Sequence, residues 1–320
     1  SAGIKSTGFG ATNSAAIRCG GDAGSGYSAI SETWNGSSWT AVSNINAGRT
    51  RWAMTATDST SAIGFGGTGS PSYVGSTEVW DGSSWTEVSD LNTARSGLGG
   101  TGTVTSGVVA GGHDGSSATG KTETWDGSSW TETTDLNTAR GGGAMSGDSS
   151  TSALLADGND SKVVEQWDGT SWTEIAELNQ ERNDIFGGIG NVTSAIVAGG
   201  YSPAPISPVA TVNVERWDGT SWTEVNNLNN GRLHLAGAGD SSPSVLVFGG
   251  GPTSPGTNVA HTESWNGTSW TEQNNLATAR TILSGAGKSA SSALAFGGYP
   301  QKNETEEWTA DATLSTVTVS

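Results

Sequence analysis

The chain has 320 residues, of which 31 are Asp or Glu and only 14 are Lys or Arg, for a formal charge of -17. Phosphate backbones and anionic bilayers are held by clustered basic side chains, so this composition argues against a nucleic-acid partner and against attachment to a membrane surface. No apolar run reaches bilayer length, so no membrane insertion is expected, and a lone cysteine, Cys19, excludes an intrachain disulfide.

Along the chain, Trp-(Asp/Asn)-Gly-(Ser/Thr)-Ser-Trp recurs at residues 34-39, 80-85, 125-130, 167-172, 217-222 and 265-270, spaced 42 to 50 residues apart, with a decayed seventh copy at Trp308. The paired indoles are Trp34 and Trp39, Trp80 and Trp85, Trp125 and Trp130, Trp167 and Trp172, Trp217 and Trp222, Trp265 and Trp270. Three further landmarks accompany each copy. An arginine opens every unit but the first: Arg49, Arg95, Arg140, Arg182, Arg232 and Arg280. A Gly-Gly pair comes next at 20-21, 66-67, 111-112, 199-200, 249-250 and 297-298, with Asp157-Gly158 as the deviant. A glutamate sits two residues before the first Trp: Glu32, Glu78, Glu123, Glu165, Glu215, Glu263 and Glu306. A period of this length marks an array of seven equivalent supersecondary units in one domain.

Within a unit the pattern reads as four strands. The second is a nearly unbroken apolar run ending at the glycines, as in Val245-Leu246-Val247-Phe248, which predicts a strand covered on both faces. The third and fourth, such as Thr77-Glu78-Val79-Trp80 and Trp85-Thr86-Glu87-Val88, alternate, and the Asp-Gly or Asn-Gly between them is expected to supply the positive-φ residues of a tight hairpin. Cys19 falls at the end of the first unit's second strand, where a small packed residue is expected. Helices are excluded, since no dozen residues carry a 3.6-residue period and 49 glycines would destabilise them.

A lone meander leaves its faces bare, whereas seven arranged radially cover one another. The fold class is therefore all-β, a seven-bladed β-propeller of four-stranded antiparallel blades at approximately 1-46, 47-92, 93-137, 138-179, 180-229, 230-277 and 278-320. The final strand is expected around Leu314 to Val319, with closure by packing of the first blade on the last. Thirteen of the 14 tryptophans sit in the repeat, and each indole is worth about 4 to 6 kcal/mol gross when fully buried, so they are expected to form the core between blades. The first residue is Ser rather than Met and no secretory leader pattern is present, so the chain is read as one part of a longer product.

The order of Arg, a strand ending in Gly-Gly, an aromatic, a turn and a Trp resembles the kelch repeat over the whole chain. That resemblance implies a propeller similar to the central domain of galactose oxidase. Trp replaces the usual Tyr before the turn, and the copies are unusually alike. The Asp-Gly-Ser-Ser-Trp turn is similar to the Asp-box of sialidases but has one residue fewer between Asp and Gly. Copper chemistry of the galactose-oxidase kind implies a Cys crosslinked to a Tyr and two His ligands, and no such set is evident. His113, His234 and His261 lie in different units without ligand spacing, so no metal and no cofactor are expected.

Sialidase propellers hold a carboxylate with clustered arginines, which invites a catalytic role for the Arg and Glu series. A catalytic group is needed once, however, whereas these recur in nearly every unit, as framework ion pairs would. Departures from the repeat are better functional clues. Sixteen residues separate Gly-Gly from Trp217 and fourteen from Trp265, against eight before Trp167 and nine before Trp308. These connections share a face with the links between blades, where contacts vary most freely. Tyr201, Pro203 and Ile206 occupy the longest; Pro255 and His261 the next; Tyr73, His113, Asp114 and Tyr299 lie at comparable places. Aromatics flanked by polar residues suit carbohydrate, the ring meeting a sugar's apolar face.

The expected role is that of a non-enzymatic extracellular or virion-associated structural propeller, displaying loops to a host glycan or to neighbouring virion or surface proteins. Further copies of the same chain are an additional partner class. A secreted carbohydrate-active enzyme and an intracellular adaptor are the alternatives.

Overall fold

The computed structural model describes residues 7–159, 161–183, 186–202, 209–241, 243–252, 257–300, 304–310 and 315–317. They form seven four-stranded antiparallel sheets, each from contiguous sequence and with its strands in chain order. Blade one is Thr7–Thr12, Ala15–Cys19, Ser31–Trp34 and Trp39–Ala41, and blade two is Ala53–Asp58, Ser61–Phe65, Thr77–Trp80 and Trp85–Val88. Blade seven ends with Ser315–Val317, within the stretch expected for the final strand. The connection after the second strand of blade five adds a two-stranded ribbon, Tyr201–Ser202 against Val209–Ala210.

The first strand of each blade is innermost. Thr7–Thr12, Ala53–Asp58, Gly99–Thr103, Ala144–Ser149, Phe186–Asn191, Ala236–Ser241 and Ser284–Ser289 each lie against the next around the axis, and the last lies against the first. Closure is thus by packing of blade one on blade seven, with no strand shared between their sheets.

Burial matches the strand reading. The second strands are covered on both faces, as in Ser244–Phe248, whereas the fourth strands bury their leading Trp and expose the next two residues, as in Trp85–Val88. Seven clusters of buried side chains occupy the seven seams. Between blades one and two, Ile17 and Cys19 meet Trp80 and Trp85; between seven and one, Leu294 and Phe296 meet Trp34 and Trp39. Within each pair the indoles lie 5.3 to 5.6 Å apart at tilted angles, inside the range aromatic pairs prefer. The first Trp points its N–H inward along its own blade. Trp80 donates to the Ser59 carbonyl at 2.9 Å and Trp125 to that of Val104 at 2.9 Å. The second Trp crosses the seam, as Trp130 does in donating to the Thr77 hydroxyl at 2.9 Å.

The turn between the paired tryptophans differs from the sequence expectation. Gly82 alone has positive φ, at 94°. Asp81 instead uses its carboxylate, which accepts from Ser83 N, Ser83 Oγ and Ser84 N at 2.8 Å each. An Asx-type cap of this kind needs a side-chain acceptor and one glycine, not two left-handed residues.

The landmark charges are buried and paired. Arg49 meets Glu78, Arg95 Glu123, Arg140 Glu165, Arg232 Glu263 and Arg280 Glu306 at 2.6 to 2.8 Å, and Arg182 pairs with Glu215. Each of these carboxylates also accepts a backbone N–H from the link that enters its blade, for example Asn137 N to Glu165 at 2.8 Å. The arginine carbonyl in turn accepts from the second glycine of the preceding blade, as Gly21 N donates to Arg49 O at 2.8 Å. A Cβ on Gly20 would stand 2.6 Å from that carbonyl, which explains why the pair is glycine. Blade one solves its missing arginine locally. Arg18, directly across from Glu32 on the neighbouring strand, supplies the guanidinium at 2.6 Å.

Candidate functional site: the axial mouth

Two residues after five of the six landmark arginines, the chain turns into the innermost strand. There Arg51, Gly97, Gly142, His234 and Ile282 all have left-handed φ, at 53°, 62°, 77°, 53° and 53°. The conformation is forced by a belt of backbone bonds from one blade to the next: Gly97 N to Arg51 O at 2.9 Å, Gly142 N to Gly97 O at 2.8 Å, and Ile282 N to His234 O at 3.0 Å. Glycine takes this geometry freely, whereas a side chain there costs roughly 1 to 2 kcal/mol. Arg51 and His234 therefore hold their side chains at the mouth against a backbone penalty.

Where the belt carries glycine, the mouth opens. A depression of about 510 Å³ is lined by Arg51, Trp52, Tyr73, His113, Asn159, Asn183 and His234, over a floor that includes Gly97 and Gly142. Its walls come from five consecutive blades, two to six, which places it over the axis on the face shared by the inter-blade links and the connections after the second strands. The rings are seated on backbone. A Cβ on Gly141 would fall 2.6 Å from His113 Nε2, and one on Gly115 would fall 3.1 Å from the Tyr73 ring. Trp52, the tryptophan outside the repeat, is buried beneath the Arg49 guanidinium, 4.6 Å from its centroid.

Of the nine arginines, seven are the ion-paired ones described above, and Arg51 is one of the two left over. Among the described lining residues the ionisable groups are Arg51, Tyr73, His113 and His234.

The structure gathers only part of the sequence-derived set. Tyr73 and His113 line the depression, and Tyr201 stands beside it, exchanging backbone bonds with Asn183 at 2.7 and 2.9 Å. Tyr299 is exposed and holds Thr281 by the corresponding exchange in blade seven. Asp114 is occupied in a turn, accepting from Ser116 and Ser117, and these bonds hold its carboxyl down at about 2. His261 is directed elsewhere: its Nδ1 lies 3.6 Å from Glu272 Oε1, beyond hydrogen-bond length, beside the outer strand of blade six. Pro203, Ile206 and Pro255 lie outside the described residues. Arg51, Trp52, Asn159, Asn183 and His234 went unread in the sequence. The signal that finds three of them is position, two residues after the landmark arginine for Arg51 and His234, and just past the deviant Asp157-Gly158 for Asn159.

No protein-family profile matches the chain, and no curated protein matches it. Among solved structures it is similar to one described as "Structure of YjhT", with a TM-score of 0.65 and 16% identity over 86% of this chain and 98% of that one. The likeness establishes the seven-bladed propeller fold. In all, 307 solved chains match, and an architecture so widely shared carries many unrelated activities.

Among the described residues no group of three or more His, Cys, Asp and Glu is placed to hold a metal ion, and no helix is long and apolar enough to cross a membrane. Cys19 is buried in the seam between blades one and two, and burial pushes its thiol up to about 12. A thiol so far above neutrality is not a nucleophile at physiological pH. Burial likewise pulls the Arg95 guanidinium below its ordinary range while Glu123 pulls it back, so the buried pair remains a framework element.

Proposed function

We propose that this protein is a non-enzymatic, kelch-like binding and structural propeller of an extracellular or virion surface, which meets a saccharide or a neighbouring subunit with its axial mouth and the loops around it. The observation that carries the reading is the lining of the mouth. The ring of Tyr73, amides at Asn159 and Asn183, imidazoles at His113 and His234 and the Arg51 guanidinium converge on one open depression. This is the mixture of apolar faces and fixed polar groups that a sugar requires. The acidic, Lys-poor, Gly-rich and Ser-rich composition, with blades so alike, supports placement outside the cell or on a particle.

A glycan array tests the binding reading, with retention of at least one saccharide class as the expected result. Turnover of chromogenic glycosides by the purified chain would replace the binding role with an enzymatic one. Mass spectrometry of purified particles tests the location; recovery of the chain only from cell lysates would overturn it.

A further inference from the structure

Blade one differs from the other six along its outer edge. Residues 33–48, which run from the third strand through the turn and the fourth strand into the link, contain no charged side chain, whereas the same stretch of every other blade carries at least one acid. Asn35 stands where blade three has Asp126, Ala41 where it has Glu132 and Asn44 where it has Asp135. Blade three also sets Lys121 on Glu132, and blade one has Ile30 in the place of that lysine, each accepting at its carbonyl from the first glycine of the pair. Ile30 and Tyr27 are both 39% exposed, two of the three large hydrophobic side chains exposed among the described residues.

The backbone of the same edge is open. Strand Trp39–Ala41 stands last in its sheet, with Thr40 and Ala41 exposed. Val42 N–H donates to Ser31 O at 3.0 Å, and Asn35 N–H to Ser38 O at 3.3 Å. Bonded pairs alternate along an antiparallel ladder, so Trp39 and Ala41 direct their N–H and C=O groups away from the sheet. Edges of this kind are ordinarily guarded by charge. A glutamate at the place of Ala41 guards blades two to six, and blade one goes without it.

From these observations we infer that the outer edge of blade one joins two copies of this chain about a two-fold axis, strand Trp39–Ala41 running antiparallel to its counterpart. In the register centred on Thr40, Trp39 of each copy exchanges backbone bonds with Ala41 of the other, and the two threonine side chains stand opposite one another, a favourable cross-strand pair. Ile30 and Tyr27 flank the contact. Charge selects the occupant: copies of formal charge -17 repel where acids meet acids, and the neutral edge of blade one lets them approach without that cost. A basic partner would be drawn to the acidic edges of the other blades instead. An uncharged edge of alternating donors and acceptors fits another such edge, and a second copy supplies it. The pairing goes beyond the saccharide reading of the mouth and does not depend on it.

The test is analytical ultracentrifugation, from micromolar to near-millimolar concentration, of the wild type, Ala41→Glu and the double variant Ile30→Lys/Ala41→Glu. The wild-type mass is expected to rise to twice that of one chain and stop there, because pairing uses up the edge. Ala41→Glu is expected to weaken association at least about tenfold, since the two-fold axis counts each substitution twice. The double variant imports the Lys121 and Glu132 pair of blade three without changing net charge, and an equal loss is expected from it. Both variants carry residues that blade three already holds at these places, so melting temperatures are expected to stay at the wild-type value. Hydrogen exchange at the Trp39 and Ala41 amides of the wild type, expected to slow as concentration rises, reads the same contact without any variant. A monomer throughout the range, growth past two copies, association undiminished in both variants, or amides that exchange equally at low and high concentration would each overturn the pairing.

Discussion

Trp39 of blade one donates its indole N–H to the hydroxyl of Thr305 in blade seven at 2.7 Å, and its ring stands edge-on to Phe296 at 5.3 Å. Trp130 makes the same two contacts across the seam between blades three and two, with Thr77 at 2.9 Å and Phe65 at 5.1 Å. The closing seam is thus built from the same parts as an internal one. Trp39→Ala and Trp130→Ala are expected to destabilise to a similar extent, each by about 3 to 5 kcal/mol, read by urea unfolding. A closing-seam variant that costs far less than its internal counterpart would show that the ring is held without that seam.

The ion pairs are expected to matter for folding rather than for ligand. Glu165 accepts from Arg140 at 2.6 Å and from both nitrogens of Asn137 at 2.8 Å, all of them buried or half-buried. Glu165→Ala leaves the Arg140 guanidinium charged and unpaired in the core, at a cost of roughly 3 to 5 kcal/mol. Its melting temperature should fall sharply while folded protein keeps any saccharide affinity, since the pair does not line the mouth. An unchanged melting temperature would refute the framework role.

Among the described residues, the seams entered by Trp85, Trp222 and Trp270 lack a hydrogen bond that Trp39, Trp130 and Trp172 make. Val164 and Val214 stand where Thr77, Thr122 and Thr305 accept an indole N–H, and the Trp222 and Trp270 nitrogens that face them have no partner among the described residues. Val164→Thr is expected to stabilise by up to about 1 kcal/mol, the hydrogen bond exceeding the cost of a lost methyl. Thermal melting of Val164→Thr and Val214→Thr decides it; a lower midpoint in both would mean that the indole nitrogens are already satisfied by water.

Acid should weaken the fold through its outer turns. Hydrogen bonds hold the carboxyls of Asp81 and Asp126 down at about 2, in Asp81 chiefly from Ser84 N and in Asp126 chiefly from the Ser128 hydroxyl. An unfolded aspartate titrates near about 3.9. The folded value is the lower one, so the contribution is present above about pH 4 and is lost as pH falls towards about 2. Asn35 and Asn266 make the corresponding turns with neutral amides, Asn35 accepting from Ser38 N at 2.9 Å. Replacing Asp81 and Asp126 with Asn is therefore expected to reduce the drop in melting temperature between pH 5 and pH 2.5; an identical drop would show that other groups govern acid unfolding.

Much of this molecule is legible in one dimension because the repeat states each local choice six or seven times. The continuous apolar run before Gly-Gly, the alternation around Glu78 and the paired tryptophans report burial directly, since the side-chain period of a strand maps onto its faces. Recurrence also makes the Arg and Glu series read as framework pairs, and the structure pairs them. Other features arise only when distant residues meet. Gly64 reads as a flaw in a buried strand, yet a Cβ there would stand 2.0 Å from the Trp52 ring, so the glycine makes room for the one tryptophan outside the repeat. Arg18 reads as a polar intruder and proves to be the partner of a glutamate 14 residues away that has no landmark arginine. The mouth is the clearest case: Arg51, His113 and His234 belong to three blades, and although Arg51 and His234 share a place in the repeat their identities are not part of it, because the motif encodes what every seam needs. A site on the axis is assembled from what the blades do not share, and only closure of the ring brings those differences within reach of a single ligand.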